Sequence, residues 1–299
     1  MALHGLGQNI WGIECDPAIA GVYIKNHPHS RMICDYVQDT DFDLLEDVDC
    51  IVATPSCIRA SIANPKAGES QEDIVVAQAI TAILKAKLPK FFILENVEGY
   101  RSFESFRLIK SELAAQGYYS QFQLLNLKDF GIAQSRKRLY LMAVRGGFFL
   151  DIQPSGVRAG WYEAIKDLIE GLPDTTLAPW QISDHESCSN IQSGQSMVKA
   201  VLVRKYGANK SNNRSYTHDE PVFTIRALGR KASNHWHQAD VIVSNQVKAV
   251  TPRACLRFFG DKKTADSIWL PERKALAMEV TGNGASWEIM QLILNHISA

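Results

Sequence analysis

The 299 residues carry 32 Lys and Arg against 32 Asp and Glu, and 46% are hydrophobic. That balance fits a soluble globular chain with one large domain and a smaller appendage, and it excludes nucleic-acid binding by bulk basicity. No apolar run reaches the roughly 18 residues of a membrane span, the first residues lack the basic start and long apolar stretch of a signal peptide, and a cytoplasmic protein is expected.

The first half alternates short apolar strands with amphipathic helices. A strand over residues 10–13 ends in an acid, Glu14, and a helix over residues 17–26 follows. Ile33-Cys34 then leads to a second acid, Asp35, and strand 50–53 runs into the turn Pro55-Ser56-Cys57. A helix is expected over residues 71–86, with apolar positions at Ile74, Ala77, Ile80 and Leu84. Strand 91–94 runs into Glu95-Asn96, helix 102–116 and strand 119–126 come next, and Gln134-Ser135-Arg136-Lys137-Arg138 leads into strand 139–144. Strand alternation would set Gln134, Arg136 and Arg138 on one face, as a shared pocket requires. Such an order predicts an α/β fold, a doubly wound and mostly parallel sheet whose ligands sit at strand C-terminal ends.

From residue 151 the pattern loosens, with short strands expected at 221–227 and 240–243. Residues 199–231 hold eight basic side chains against two acidic ones, a stripe suited to phosphate contacts. Helical style returns after Gly282-Asn283-Gly284, in a helix over residues 286–297. The domain reading is a catalytic and cofactor-binding domain at 1–175, a smaller irregular domain at 176–255, and C-terminal helices at 256–299 that return to the first. Six cysteines (Cys15, Cys34, Cys50, Cys57, Cys188 and Cys255) include no Cys-x-x-Cys pair, which argues against a metal site or a disulfide framework.

The thiol after a strand, the strand-end Glu-Asn and the Gln-x-Arg-x-Arg segment, in this order, resemble the DNA cytosine carbon-5 methyltransferases. The resemblance runs from about Leu3 to Ile297. It implies a Rossmann-like S-adenosylmethionine-dependent fold with a target-recognition domain, acting on double-stranded DNA with no membrane partner. It also implies the bacterial modification type, with a cognate restriction endonuclease as a possible companion. By this resemblance Cys57 is the nucleophile that adds to carbon 6 of cytosine. Glu95 faces ring nitrogen 3, Arg138 reaches the flipped base, and Arg136 lies nearer the sugar-phosphate. Pro55 and Asn96 hold the turn by the cofactor, Glu14 takes the ribose hydroxyls, Asp35 the adenine amino group, and Asn283 closes over the cofactor. Ser61, Gln134, Arg226, Arg230 and Lys231 are the expected DNA-side residues, with Asn234, His235 and His237 as further candidate base readers.

The match departs from the family in places. No Phe-x-Gly-x-Gly occurs in the 299 residues, so weak cofactor binding is expected. Pro55-Ser56-Cys57-Ile58 stands where the family has Pro-Pro-Cys-Gln. Two alternatives stay open: a tRNA cytosine-5 methyltransferase, and a catalytically inactive DNA-binding relic.

Overall fold

Asp16 starts the first helix of the chain, its side chain accepting from the amides of Ala18 and Ile19 while Pro17 occupies the first turn. The computed structural model describes residues 8, 10–61, 68–177, 181, 200–204, 215–227, 236–243 and 246–298. Strand β1 (Trp11–Ile13) precedes that helix, α1 (Pro17–Asn26), and pairs in parallel with β2 (Arg31–Ile33). After β3 (Cys50–Ala53), a capping box of Ser70 and Asp73 opens α2 (Gln71–Lys87). Then come β4 (Phe91–Asn96), α3 (Glu104–Ala115), β5 (Tyr118–Asn126) and β6 (Lys137–Arg145).

These strands form a two-stranded sheet, β1-β2, and a four-stranded sheet ordered β3-β4-β6-β5. β3 and β4 are parallel and β6 opposes both its neighbours, so three of the four strands run one way. The expected mostly parallel, doubly wound α/β sheet is present, with β6 as its reversed member. All six residues of β4 are buried, as a central strand covered on both faces requires. Its core takes Phe92 and Leu94 with Ile80, Ile83 and Leu84 of α2 and Phe106, Ile109 and Leu113 of α3.

The chain divides into two compact units. One comprises Leu3–Asn126, Lys137–Pro154 and Ile289–Ala299, and the other comprises Leu127–Arg136 and Ser155–Glu288. The boundaries read from sequence, at 175 and 255, differ from these, because ten residues before β6 and the helices after residue 255 pack in the second unit. Its core gathers Trp161, Ile165, Leu202, Val222, Ile225, Val241, Phe258, Phe259 and Met278.

The second unit holds α4 (Trp161–Ile165) and a sheet ordered β10-β9-β7-β8. Its strands are β7 (Ala200–Arg204), β8 (Ser215–Tyr216), β9 (Ala239–Val243) and β10 (Gln246–Ala249). Helices α5 (Pro252–Leu256), α6 (Lys262–Ser267) and α7 (Lys274–Asn283) follow. Helix α8 (Trp287–Ser298) ends the described chain, its residues from Ile289 on belonging to the first unit. Residues 221–227, expected as a strand, make only a single parallel bridge, between Val222 and Gln134. Among the described residues no helix is long and apolar enough to cross a membrane.

Candidate active site

Cys57 lies half-buried four residues beyond the end of β3, in a stretch without regular structure. Such a loop needs outside support, and three contacts supply it. Asn96, at the end of β4 and buried, donates from Nδ2 to the carbonyl of Pro55 at 2.9 Å, while its Oδ1 accepts from the amide of Val97 at 2.8 Å. Gly99 sits against the loop on its other side: a Cβ built there would stand 2.3 Å from the carbonyl oxygen of Ala60, so any side chain at 99 would push the loop away. Glu69 anchors its far end, accepting from the amides of Glu104 and Ser105 at 2.7 Å each and from the Ser105 hydroxyl at 2.6 Å, at the N-terminus of α3.

Burial raises the Glu69 pKa, but hydrogen bonds from Ser105 and Glu104 and the charge of Arg107 overcome it and hold the carboxyl below its ordinary 4.5. A depressed folded value means the anchor contributes fully above pH 4.5 and is lost as pH falls through the folded value. Thermal midpoints of the parent chain should therefore drop more steeply below pH 4.5 than those of Glu69→Gln. Parallel curves for the two proteins would show that the ionised anchor does not hold.

Glu95 and Arg138 meet through the register of β4 and β6. Glu95 pairs with Tyr140, which puts Arg138, two residues earlier in β6, on the same face and diagonal to it. Arg138 Nε lies 3.1 Å from Glu95 Oε1, and both side chains are nearly buried. The guanidinium also donates to the carbonyl of Lys137 at 2.8 Å. Arg138 thus presents a fixed positive group to the carboxylate, and the fully buried ring of Tyr140 stands opposite Glu95.

Gln134 and Arg136 depart from the sequence expectation. β6 begins at Lys137, so the trio does not share a strand face, and only Arg138 belongs to the sheet unit. Gln134 is fully buried, donating to the carbonyl of Phe258 at 3.1 Å and accepting from the amide of Ile225 at 2.9 Å. Arg136, 2% exposed, donates to the carbonyls of Ile225, Gly282 and Gly284 at 2.7, 3.1 and 3.0 Å and lies over the ring of Phe259. A guanidinium committed to three carbonyls in a buried seat is a clamp, not a sugar-phosphate contact. Gly282 is required in this seat, since a Cβ there would meet the backbone of Arg226 and Ala227 at 2.1 Å.

Among the cofactor candidates, Glu14 and Asp35 follow the ends of the neighbouring parallel strands β1 and β2. Glu14 Oε1 accepts from the amide of Asp16 at 2.9 Å, and Asp35 Oδ1 accepts from the amide of Tyr36 at 2.8 Å. Asn283 is the exposed last residue of α7, flanked by the two glycines whose carbonyls Arg136 holds. Arg226 is exposed, its backbone gripped by the Gln238 side chain, and Ser61 is half-buried. Arg230, Lys231, Asn234 and His235 lie outside the described residues, as do Lys199, Lys205, Lys210 and Arg214 of the basic stripe. His237 is turned inward, 6% exposed and 2.9 Å from the buried Asp240, so it is no base reader in this conformation. Gly99, Glu69 and Tyr140 escape a reading of sequence. A Glu-x-x-x-Gly at the strand end, Glu95 to Gly99, is the one visible sign of the first.

A family described as C-5 cytosine-specific DNA methylase matches residues 1–299. The Type II methyltransferase M.NgoPII of Neisseria gonorrhoeae is 28% identical over 233 residues, 74% of this chain and 66% of that protein. M.NlaIV of Neisseria lactamica is 36% identical over 138 residues, 43% of this chain and 32% of its own length. The chain therefore spans less than two thirds of either relative. Among solved structures, the S. pombe Dnmt2 methyltransferase superposes with a TM-score of 0.63 at 15% identity, covering 99% of this chain and 93% of that one, a likeness of fold.

Proposed function

The chain belongs to the C-5 cytosine-specific DNA methylase family, and from that premise we propose that it methylates carbon 5 of a cytosine flipped out of a specific DNA sequence, through a covalent adduct at Cys57. One observation carries this reading: the bond from Asn96 to the carbonyl of Pro55 fastens the thiol's loop to the strand end that bears Glu95, itself paired with Arg138.

Carbon 5 of cytosine is a weak nucleophile. In this reading the Cys57 thiolate adds to carbon 6 and pushes electron density onto the pairing edge and carbon 5. Glu95 holds the pairing edge, sharing a proton with ring nitrogen 3, and Arg138 offsets the negative charge that Glu95 brings to the pocket. Once carbon 5 carries the methyl group, loss of its proton expels the thiolate and restores the ring. S-adenosylmethionine, when bound, supplies the methyl as an electrophilic sulfonium. Two carboxylates at the C-terminal ends of neighbouring parallel strands suit a nucleoside: Glu14 would hold the ribose hydroxyls and Asp35 the adenine amino group. Pro55 and Asn96 would border the same edge, and Asn283 would close over it. Ser61 and Arg226, with Arg230 and Lys231, are assigned to the DNA side. A cognate restriction endonuclease would complete a modification system, in keeping with the Type II names of the relatives.

Label transfer from S-adenosylmethionine to duplex DNA and to tRNA tests the proposal. Label at carbon 5 of cytosine in DNA supports it, label confined to tRNA moves the substrate to RNA, and DNA binding without label makes the chain an inactive relic. Arg138→Ala should cost about 2 kcal/mol in kcat, roughly thirtyfold, by analogy with the loss of one charge-stabilising donor. An unchanged rate at saturating DNA would remove Arg138 from the site.

A further inference from the structure

Gln238 ties two stretches of the second unit into one base. Its buried side chain accepts from the amide of Arg226 at 3.0 Å and donates to the carbonyl of the same residue, while its neighbour His237 is fixed against the buried Asp240 at 2.9 Å. Trp236 is held with them, its ring centroid 4.7 Å from that of His237. Helix α7 closes the group. Near its end Gly282 packs directly on the backbone of Arg226 and Ala227, and at its start Lys274 sets its ammonium 4.2 Å over the ring of Trp236.

The outer side of this base is cationic. Arg226, Arg273 and Lys274 are exposed, and among the described residues none of them forms an ion pair, whereas Lys166, Lys248, Arg257 and Lys262 of the same unit each have a carboxylate partner. Helix stability does not explain the placement. Arg273 and Lys274 stand where the helix dipole disfavours positive charge, and no acidic residue shares the first turn of α7. The ring of Trp236 restrains Lys274 before any partner arrives, so less freedom is lost on binding, and an aromatic face leaves the ammonium donors for an anion. Gly282, against Arg226, lies eight residues beyond Lys274, about 12 Å along α7. A DNA strand carries one phosphate per roughly 3.4 Å of helix axis, so cations spread over this length can meet more than one of them.

We propose that Lys274, with Arg226 and Arg273 on the same side, grips the phosphate backbone of duplex DNA, and that Trp236 is the positioning residue that holds Lys274 out to it. The inference rests on the reading that the chain acts on DNA, and it adds the start of α7 to the DNA side. The contact is to backbone, so it fixes register and orientation and reads no base.

Binding of the full chain to a short random-sequence duplex, followed over a range of salt concentrations without S-adenosylmethionine, tests this. Lys274→Ala should weaken binding roughly tenfold near about 0.1 M salt and reduce the salt slope by about one unit, because one phosphate contact is lost. Trp236→Leu keeps every charge and should weaken binding by less, with a slope near the parent's. Lys166→Ala removes an exposed charge already paired with Glu163 and should change neither quantity. A parent slope retained in Lys274→Ala, or an equal reduction in Lys166→Ala, would overturn the proposal and leave the DNA reading standing. Binding by Trp236→Leu equal to the parent's would overturn the positioning role of the ring. A parent chain that binds no duplex would overturn this inference and the DNA reading together.

Discussion

Cys57→Ser is expected to form no denaturant-stable adduct with a duplex carrying 5-fluorocytosine, while the parent chain, given S-adenosylmethionine, traps one. Fluorine at carbon 5 cannot leave as a proton, so the thiolate stays bonded to carbon 6 once the methyl has been transferred. A serine hydroxyl is a far weaker nucleophile at neutral pH, and loss of a covalent nucleophile costs about three orders of magnitude in rate or more. Burial argues against substitutes from the core, since it pushes the thiols of Cys50 and Cys255 up to about 12. An adduct persisting in Cys57→Ser would move the nucleophile to an exposed thiol, with Cys15 and Cys34 the ones to replace next.

Arg136→Met should destabilise the second unit by about 3 kcal/mol or more, seen as a lower urea midpoint at unchanged slope. Three carbonyls, on Ile225, Gly282 and Gly284, would lose their donor in a buried place, and each such loss costs roughly 1–3 kcal/mol. Arg136→Lys should recover only part of this, because one ammonium on a flexible stem cannot serve three carbonyls on two segments as a planar guanidinium does. Arg136→Met, measured below its unfolding transition, should also leave the salt dependence of DNA binding unchanged, which loss of a phosphate contact would not. A loss below about 1 kcal/mol in Arg136→Met, or a salt slope reduced by about one unit in the same variant, would return Arg136 to the DNA surface.

Regular alternation made the sheet unit legible. Strands β3, β4 and β6 and helices α1 and α2 fall within a few residues of their expected spans, because apolar period and caps such as Asp16 and Ser70 act locally. The position of Cys57 after β3 followed from the same signals. The Glu95–Arg138 pair needed register, which no single segment encodes. Arg136 differs from its expectation for a related reason: its spacing suggests one continuous strand, whereas its partners lie 89 to 148 residues away. His237, expected among the base readers, instead contacts Asp240, whose burial the local sequence does not encode.

The ten residues Leu127–Arg136 bear on how such a chain can be inherited and recombined. They fold with Ser155–Glu288 yet are encoded upstream of β6, so the second unit is discontinuous in the gene. An exchange of residues 155–288 alone between relatives would leave Gln134 and Arg136 facing foreign carbonyls at 225, 258, 282 and 284. A transfer of the second unit between relatives that keeps these bonds in register would therefore have to carry both pieces, 127–136 together with 155–288.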